Sequence, residues 1–415
     1  NGQSGQLLAA QNAEALLFRV LSLANQNTFN NIRIRPFTIN TPDLGLGFDY
    51  TPLFEMPYVR MVTQAGACAW DGSKAIQHYT GLGYGGLPGL AFYLLGNYTD
   101  DRGFRPHNGD SQGYNGELAV KWEPTVKGTF TGFFQYADTE AGDRNNLNDA
   151  AYIPVPHRRS FLRFRSMELS YVHHFNPQAT FIAYFARKPL ELRVVQDSTL
   201  TIFPFVASLN TAINIDRDIN NFQVQQHLVL GNHTFIAGAD LFQANYTYRQ
   251  LLTITIPGLI SLEFPFRNQP PERAASFYLL DYWRLSQNVL LELGVLREAT
   301  KTPRAGFNDA IYSAMWSPRL GVNVQLNGQH TLRLALQRHL NTHYVLQPLL
   351  ISSQLAGIPW LIDSDNGSEV RQAGAAWEAQ WNPSTFTVVR FDAIRVATPN
   401  LANDPNNLPY RLSTN

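Results

Sequence analysis

Charged side chains that alternate with apolar neighbours are the residues of this sequence best placed to act on a solute. Arg163, Arg165, Arg319, Arg333, Arg371 and Arg390 stand in such alternation, as do Glu117, Lys121, Glu168 and Glu378. On a strand, residues two apart share a face, so charges spaced in this way line one side of a sheet. Facing a water-filled lumen, the arginines would focus the field of a low-dielectric wall on passing solutes and favour anions. Paired across strands with Glu117, Glu168, Glu378 or Asp392, they would instead hold the wall rigid. Bond-making chemistry has no comparable support. His173 and His174 lie near Glu168, but adjacent strand residues point to opposite faces, so the two imidazoles do not easily meet one ion. No nucleophile elbow, phosphate-binding loop or metal-ligand spacing stands out. The single cysteine, Cys68, excludes an internal disulfide and any cysteine-based zinc, haem or iron–sulfur site. The expectation is therefore no enzyme, no catalytic residue, no cofactor and no metal.

Composition says what kind of scaffold holds these residues. Only 15% of the 415 residues are charged, below the roughly 25% usual in soluble proteins. Mean hydropathy is nevertheless −0.20, and no stretch of about 18 apolar residues appears, which excludes membrane-spanning helices. Asn, Gln, Thr, Ser and Gly replace the missing charge, alongside 12% aromatics. That mixture suits strands with one face in lipid and the other in water. The 32 basic residues balance the 32 acidic ones, so the global basic field typical of nucleic-acid binding is absent.

Residues 6–25 contain no Gly or Pro and read as one amphipathic helix within an N-terminal segment of residues 1–30. Residues 31–56 are punctuated by Pro and Asn and read as an irregular linker, able to lie along a surface or enter a lumen. From residue 57 to 415 the pattern is period two. Short turns are expected near Gly85, Pro124, Asn176, Asn232, Gln287, Asn327 and Asn382, at spacings of 39 to 56 residues. Long polar loops are expected over residues 100–112, 139–159, 196–215, 251–272 and 341–367. Short turns at one end and long loops at the other are the pattern of an antiparallel transmembrane β-barrel, with Trp122 and Trp381 beside turns as members of an aromatic girdle. A soluble propeller has similar spacing but fits four short strands into it, where this chain has two long ones. Counting gives about 16 strands, the last beginning at residues 408–415. Residues 203–214 and 349–361 are apolar for exposed connections, and could dock a partner or fold over the barrel mouth.

Tyr278, Asp281 and Trp283, together with the run Ser317, Pro318, Arg319, resemble barrel strands of TonB-dependent receptors. Over most of its length the chain is similar to TonB-receptor-like barrels attached to periplasmic tetratricopeptide-repeat domains. The resemblance implies an outer-membrane barrel that moves a solute or an exported polymer, with outer-membrane lipid and lipopolysaccharide around it and a periplasmic or surface protein as possible partner. An uptake receptor lacking its plug and a surface-anchoring scaffold are the alternatives. Fifty-six residues before the first strand are too few for a receptor's plug, and Asn415 does not supply the closing aromatic of such barrels, so an incomplete barrel is expected.

Overall fold

The structure, a computed structural model, describes residues 59–398 apart from 71–73, 88, 103–107, 109, 143–156, 203–204, 270, 304–309, 343–349, 352–353, 360–366 and 383–384. The helix expected over residues 6–25, the linker of 31–56 and the strand expected from 408 lie outside the described residues. Within them every regular element is a strand. These are β1 (Val59–Trp70), β2 (Lys74–Leu87), β3 (Leu90–Asp101), β4 (Ser111–Thr125), β5 (Gly128–Ala141), β6 (Arg159–Asn176), β7 (Ala179–Ile202), β8 (Phe205–Leu230) and β9 (His233–Ile256). There follow β10 (Ile260–Asn268), β11 (Pro271–Ser286), β12 (Val289–Pro303), β13 (Ala310–Gln325), β14 (His330–Leu340), β15 (Gln354–Leu355), β16 (Ile358–Pro359), β17 (Glu369–Asn382) and β18 (Thr385–Ala397).

Sixteen of them form one antiparallel sheet in which each strand pairs with its neighbours in the chain. The exceptions are β10, which folds back on the outer part of β9 so that β11 pairs with β9, and the separate hairpin of β15 and β16. All seven predicted turns join strands, the first displaced a few residues to the bend between Leu87 and Leu90. Asparagine explains several of them: Asn176 Oδ1 accepts from the Gln178 amide at 2.9 Å, and Asn327 Oδ1 from the amides of Gln329 and His330. Side chains that close on the backbone two residues on fix tight turns locally. The seven turns mark one end of the sheet, here the near end.

Two expected loops are strand instead. Residues 196–215 continue β7 into β8, and 251–272 continue β9 into β10 and β11. Polarity suggested loops there, but what changes along these strands is which face is polar. Near the turns, one face of β7, β8 and β9 carries Phe181, Phe185, Phe222, Leu228, Phe235 and Leu241. Phe222, Leu228 and Leu241 remain 45%, 37% and 44% exposed, a bare apolar surface. The opposite face is covered and polar, with Lys188, Asn221, Gln223, Gln225, His227 and Asp240 buried. Farther along, the bare face turns charged at Arg187, Asp218 and Arg249, while the covered face turns apolar at Leu190, Leu192, Val194, Ile213 and Ile215. The phase of two persists and only the polarity inverts.

This inversion has a direct physical reading. Crossing hydrocarbon takes about 9–11 residues of tilted strand, and β8 has 26. Residues 222–230 suffice to cross, and the rest stands in water, where the outward face must be polar and the inward face needs its own core. Aromatic rings mark both borders. Near the turns Trp122, Phe130 and Tyr171 stack in series, His233 stacks on Trp283, and His330 on Trp377. Toward the far end Tyr79, Tyr98 and Tyr114 form a second series. Phe222→Arg, inside the belt, is expected to cost about 2–4 kcal/mol in lipid vesicles, as for a cation facing lipid. Asn210→Arg, on the same face beyond the inversion and registered opposite Asp197, is expected to cost under about 0.5 kcal/mol. Urea unfolding followed by tryptophan fluorescence compares them, and equal costs would contradict a border near Asn220.

Candidate functional site

Strand register places the charged residues named from the sequence on two different faces. Glu117, Glu168, Arg319 and Arg333 are buried on the covered face. Lys121 shares the side of β4 that carries Glu117, and ion-pairs with Glu123 at 2.6 Å. Glu378 lies on the same side of β17 as buried Gln372, and Arg390 is registered opposite buried Ala376 and ion-pairs with Asp392. Arg163, Arg165 and Arg371 do not join them. They project from the bare face, about half exposed, beside Asp138, Glu191 and Glu369 respectively. Arg163 and Arg165 lie beyond the polarity inversion, where their apolar neighbours Leu162 and Phe164 turn inward to the core. Alternation identifies two faces without saying which is covered, and the odd-numbered Arg163 and Arg165 cannot share a face with Glu168. His173 and His174 bind Tyr171 and Thr180 separately, and among the described residues no cluster suited to a metal occurs.

The covered face is polar and yet buried because part of the chain lies on it. Between β14 and β17, the described residues 341–342, 350–351, 354–359 and 367–368 form a strap whose two ends are held together. At its root the Asn341 amide donates to Ser368 O, and the Gly367 amide to Asn341 O, both at 2.7 Å. On β8 the Leu350 amide donates to Gln223 Oε1 at 2.9 Å and Gln225 Nε2 donates to Leu350 O at 3.3 Å. Leu350 also packs on Ile182, Tyr184 and Ala186 of β7. It then returns as the β15–β16 hairpin. The Ala356 amide donates to Glu292 Oε2 of β12 at 3.0 Å, and Gln372 Nε2 of β17 donates to Pro359 O at 3.0 Å. From β8 to β17 the strap bridges six inter-strand steps, about 29 Å of wall.

The wall is shaped for the hairpin. Ala356 and Gly357 both have positive φ, 51° and 78°, the geometry of a tight two-residue turn. A Cβ on Gly357 would also meet Arg333 Nη1 at 2.8 Å, so both backbone and contact require glycine. Beneath the hairpin the wall is itself glycine. A Cβ on Gly321 would meet Leu355, Ala356 and the Cβ of Glu292 at 3.0–3.1 Å, and one on Gly374 would meet Ile358 at 3.0 Å. Arg333 ties this seat together, binding Glu378 through two nitrogens at 2.9 Å each and donating to Asn323 Oδ1 at 2.8 Å. Asn323 in turn donates to Glu292 Oε1 at 3.1 Å. Deeper at the root, Glu298 is fully buried, accepting from Ser317 and from the Leu340 amide. Sequence reasoning missed Glu292, Glu298 and Gln372 as parts of a site. The available signal was the apolar run of residues 349–361, of which the described residues 350–351 and 354–359 lie on the wall.

Residues 69–342 match the family described as TonB dependent receptor-like, beta-barrel. Curated protein sequences yield no match. Among solved structures, similarity extends over 83% of this chain to the ferric citrate transporter FecA in its unliganded form, with a TM-score of 0.60 and 16% identity. It extends over 87% of the chain to the ferripyoverdine receptor of the outer membrane of Pseudomonas aeruginosa, with a TM-score of 0.62 and 12% identity. For the RagAB peptide transporter the figures are 81%, 0.56 and 9%. The chain covers 52%, 52% and 46% of these three, about half their length. At such identities the likeness is one of fold, and the family is one of receptors and transporters rather than enzymes. With two-thirds of its residues matched, the chain belongs to the TonB dependent receptor-like β-barrel family of the bacterial outer membrane.

Proposed function

We propose that the chain forms the wall of a transport conduit, with the covered face as lumen lining and the strap as its constriction. The observation that carries this reading is the seat itself: Gly321, Gly374, Gln223, Gln225 and Glu292 are shaped to hold a loop across the wall. Anion preference is not favoured, because covered cations have carboxylate partners, Arg333 with Glu378, Arg390 with Asp392, Lys188 with Glu168 and Arg217 with Glu272, and the same face also buries Glu117, Asp240, Glu292 and Glu298. A wall without surplus cations suits a polar solute recognised by hydrogen bonds rather than an anion. Around the bare belt lie outer-membrane lipid and lipopolysaccharide. β1 begins at the near, short-turn end, which this reading sets on the periplasmic side, where a partner could deliver or receive cargo.

Planar-bilayer recording of the full chain tests the constriction against a variant with residues 350–359 replaced by a Gly-Ser linker. The intact chain is expected to show small or no conductance steps, and the variant steps several-fold larger. Equal conductance in both would remove the strap from the pathway. A second reading, a surface scaffold, draws on one observation: the β9–β10 hairpin exposes Leu259, Ile260, Leu262, Phe264 and Phe266 at the far end. Silence of both forms, with a tight external partner captured through that hairpin, would favour it.

A further inference from the structure

Three arginines stand side by side at the far rim of the bare face. Register sets Arg338 of β14 opposite Arg371 of β17, and Arg371 opposite Arg395 of β18. Each lies two residues from the far end of its strand. Like charges directly opposite one another on neighbouring strands repel, so such a row persists only with compensation. A single carboxylate, Glu369, serves two of them, at 2.8 Å to Arg338 and 2.6 Å to Arg371, and Arg395 has no ion pair among the described residues. Other arginines of this face meet carboxylates: Arg163 meets Asp138 at 2.9 Å, Arg187 meets Asp218 at 2.9 Å and Arg249 meets Asp216 at 3.3 Å. Among the described residues, three guanidiniums against one carboxylate leave a surplus of two positive charges at this sector.

Directly below this row, on the lipid side, the wall is hollow. Ala373 and Ala393 are too small to fill the surface beside Leu320 and Leu336, leaving an apolar groove of about 560 Å³. Hydrocarbon-lined space capped by three guanidiniums that share one carboxylate matches one kind of molecule, an acyl chain under an anionic headgroup. Arginine forks bind phosphate oxygens in pairs, and rim position puts them at headgroup height.

We propose that Arg338, Arg371 and Arg395 with the groove beneath them form a binding site for a phosphorylated lipid of the outer leaflet, the guanidiniums on its phosphate and an acyl chain along Ala373 and Ala393. The site stands on the bare face and is independent of whether the covered face conducts. The test uses the purified full chain in detergent with bis-phosphorylated lipid A as probe, read by native mass spectrometry. Wild type is expected to retain lipid A, and R338Q/R371Q/R395Q to lose about tenfold in apparent affinity, the scale of charge-assisted phosphate contacts. R187Q/D218N, which removes a matched pair on the same face, is expected to bind as wild type does. Lipid A retained equally by the triple variant, or displaced as readily by phosphatidylethanolamine, would overturn the site. So would displacement by inorganic phosphate alone at equal concentration, since the acyl groove would then contribute nothing. Should the triple variant fail to fold, as judged by circular dichroism, A393W keeps the arginines and fills the groove. It is expected to weaken lipid A binding, and unchanged binding would likewise overturn the proposal.

Discussion

Arg333→Met is expected to lower the unfolding free energy by about 1–3 kcal/mol, the usual cost of leaving buried hydrogen-bonding groups unsatisfied. The side chain is 9% exposed and satisfies Glu378, Asn323 and, through Asn323, the buried Glu292. Without it Asn323 Oδ1 loses its donor in the interior, while Glu378, 37% exposed, stays within reach of water. The double variant R333M/E378Q should recover only a small part of the loss, because the larger part arises at Asn323. Urea unfolding in vesicles measures both, and a loss in R333M that E378Q relieves in full would place the cost on Glu378 instead.

Gly321→Val should have the largest effect on conduction. The added side chain begins 3.0 Å from Leu355 and 3.1 Å from both Ala356 and the Glu292 Cβ, so it must displace either the strap or the wall. The wall is a hydrogen-bonded sheet paired on both sides of β13, whereas the hairpin is held by a few side-chain contacts. The hairpin therefore yields. Conductance is expected to rise several-fold, while stability falls by about 1–3 kcal/mol, as in an overpacked interior. A fall in stability with no change in conductance would show that the hairpin moves without opening a passage. G374V, which would meet Ile358 on the neighbouring side of the same seat, should behave alike.

Much of the scaffold was legible because its signals are local. Turn residues such as Asn176 and Asn327 close on their own backbone, so all seven near-end turns could be placed. Alternation on β13 separated Arg319 and Asn323 from Leu320 and Val322. What failed was assigning a face its environment. Arg163 and Arg371 alternate as cleanly as Arg319 does, but they sit at the rim, where water replaces lipid outside and the rule relating polarity to direction reverses. The same reversal disguised residues 196–215 and 251–272 as loops. The apolar run of residues 349–361 marked a segment able to fold over the barrel mouth, but not where it lands, because its contacts join Leu350 to Gln223 and Ala356 to Glu292, pairs 127 and 64 residues apart with no shared period.

The strap's attachment to the wall leaves an asymmetry in what selection can alter. The wall offers side chains, those of Gln223, Gln225, Glu292, Arg333 and Gln372, while the strap answers in these contacts with the peptide groups of Leu350, Ala356 and Pro359. Every residue but proline carries the same peptide donor and acceptor. Descendants of this gene can therefore exchange strap side chains within limits of size and polarity, since Leu350, Ile351, Leu355 and Ile358 are buried on the wall. The five wall residues and Gly357 have less freedom. A comparison across related genomes should find a ribbon that varies among apolar types lying on an invariant bed.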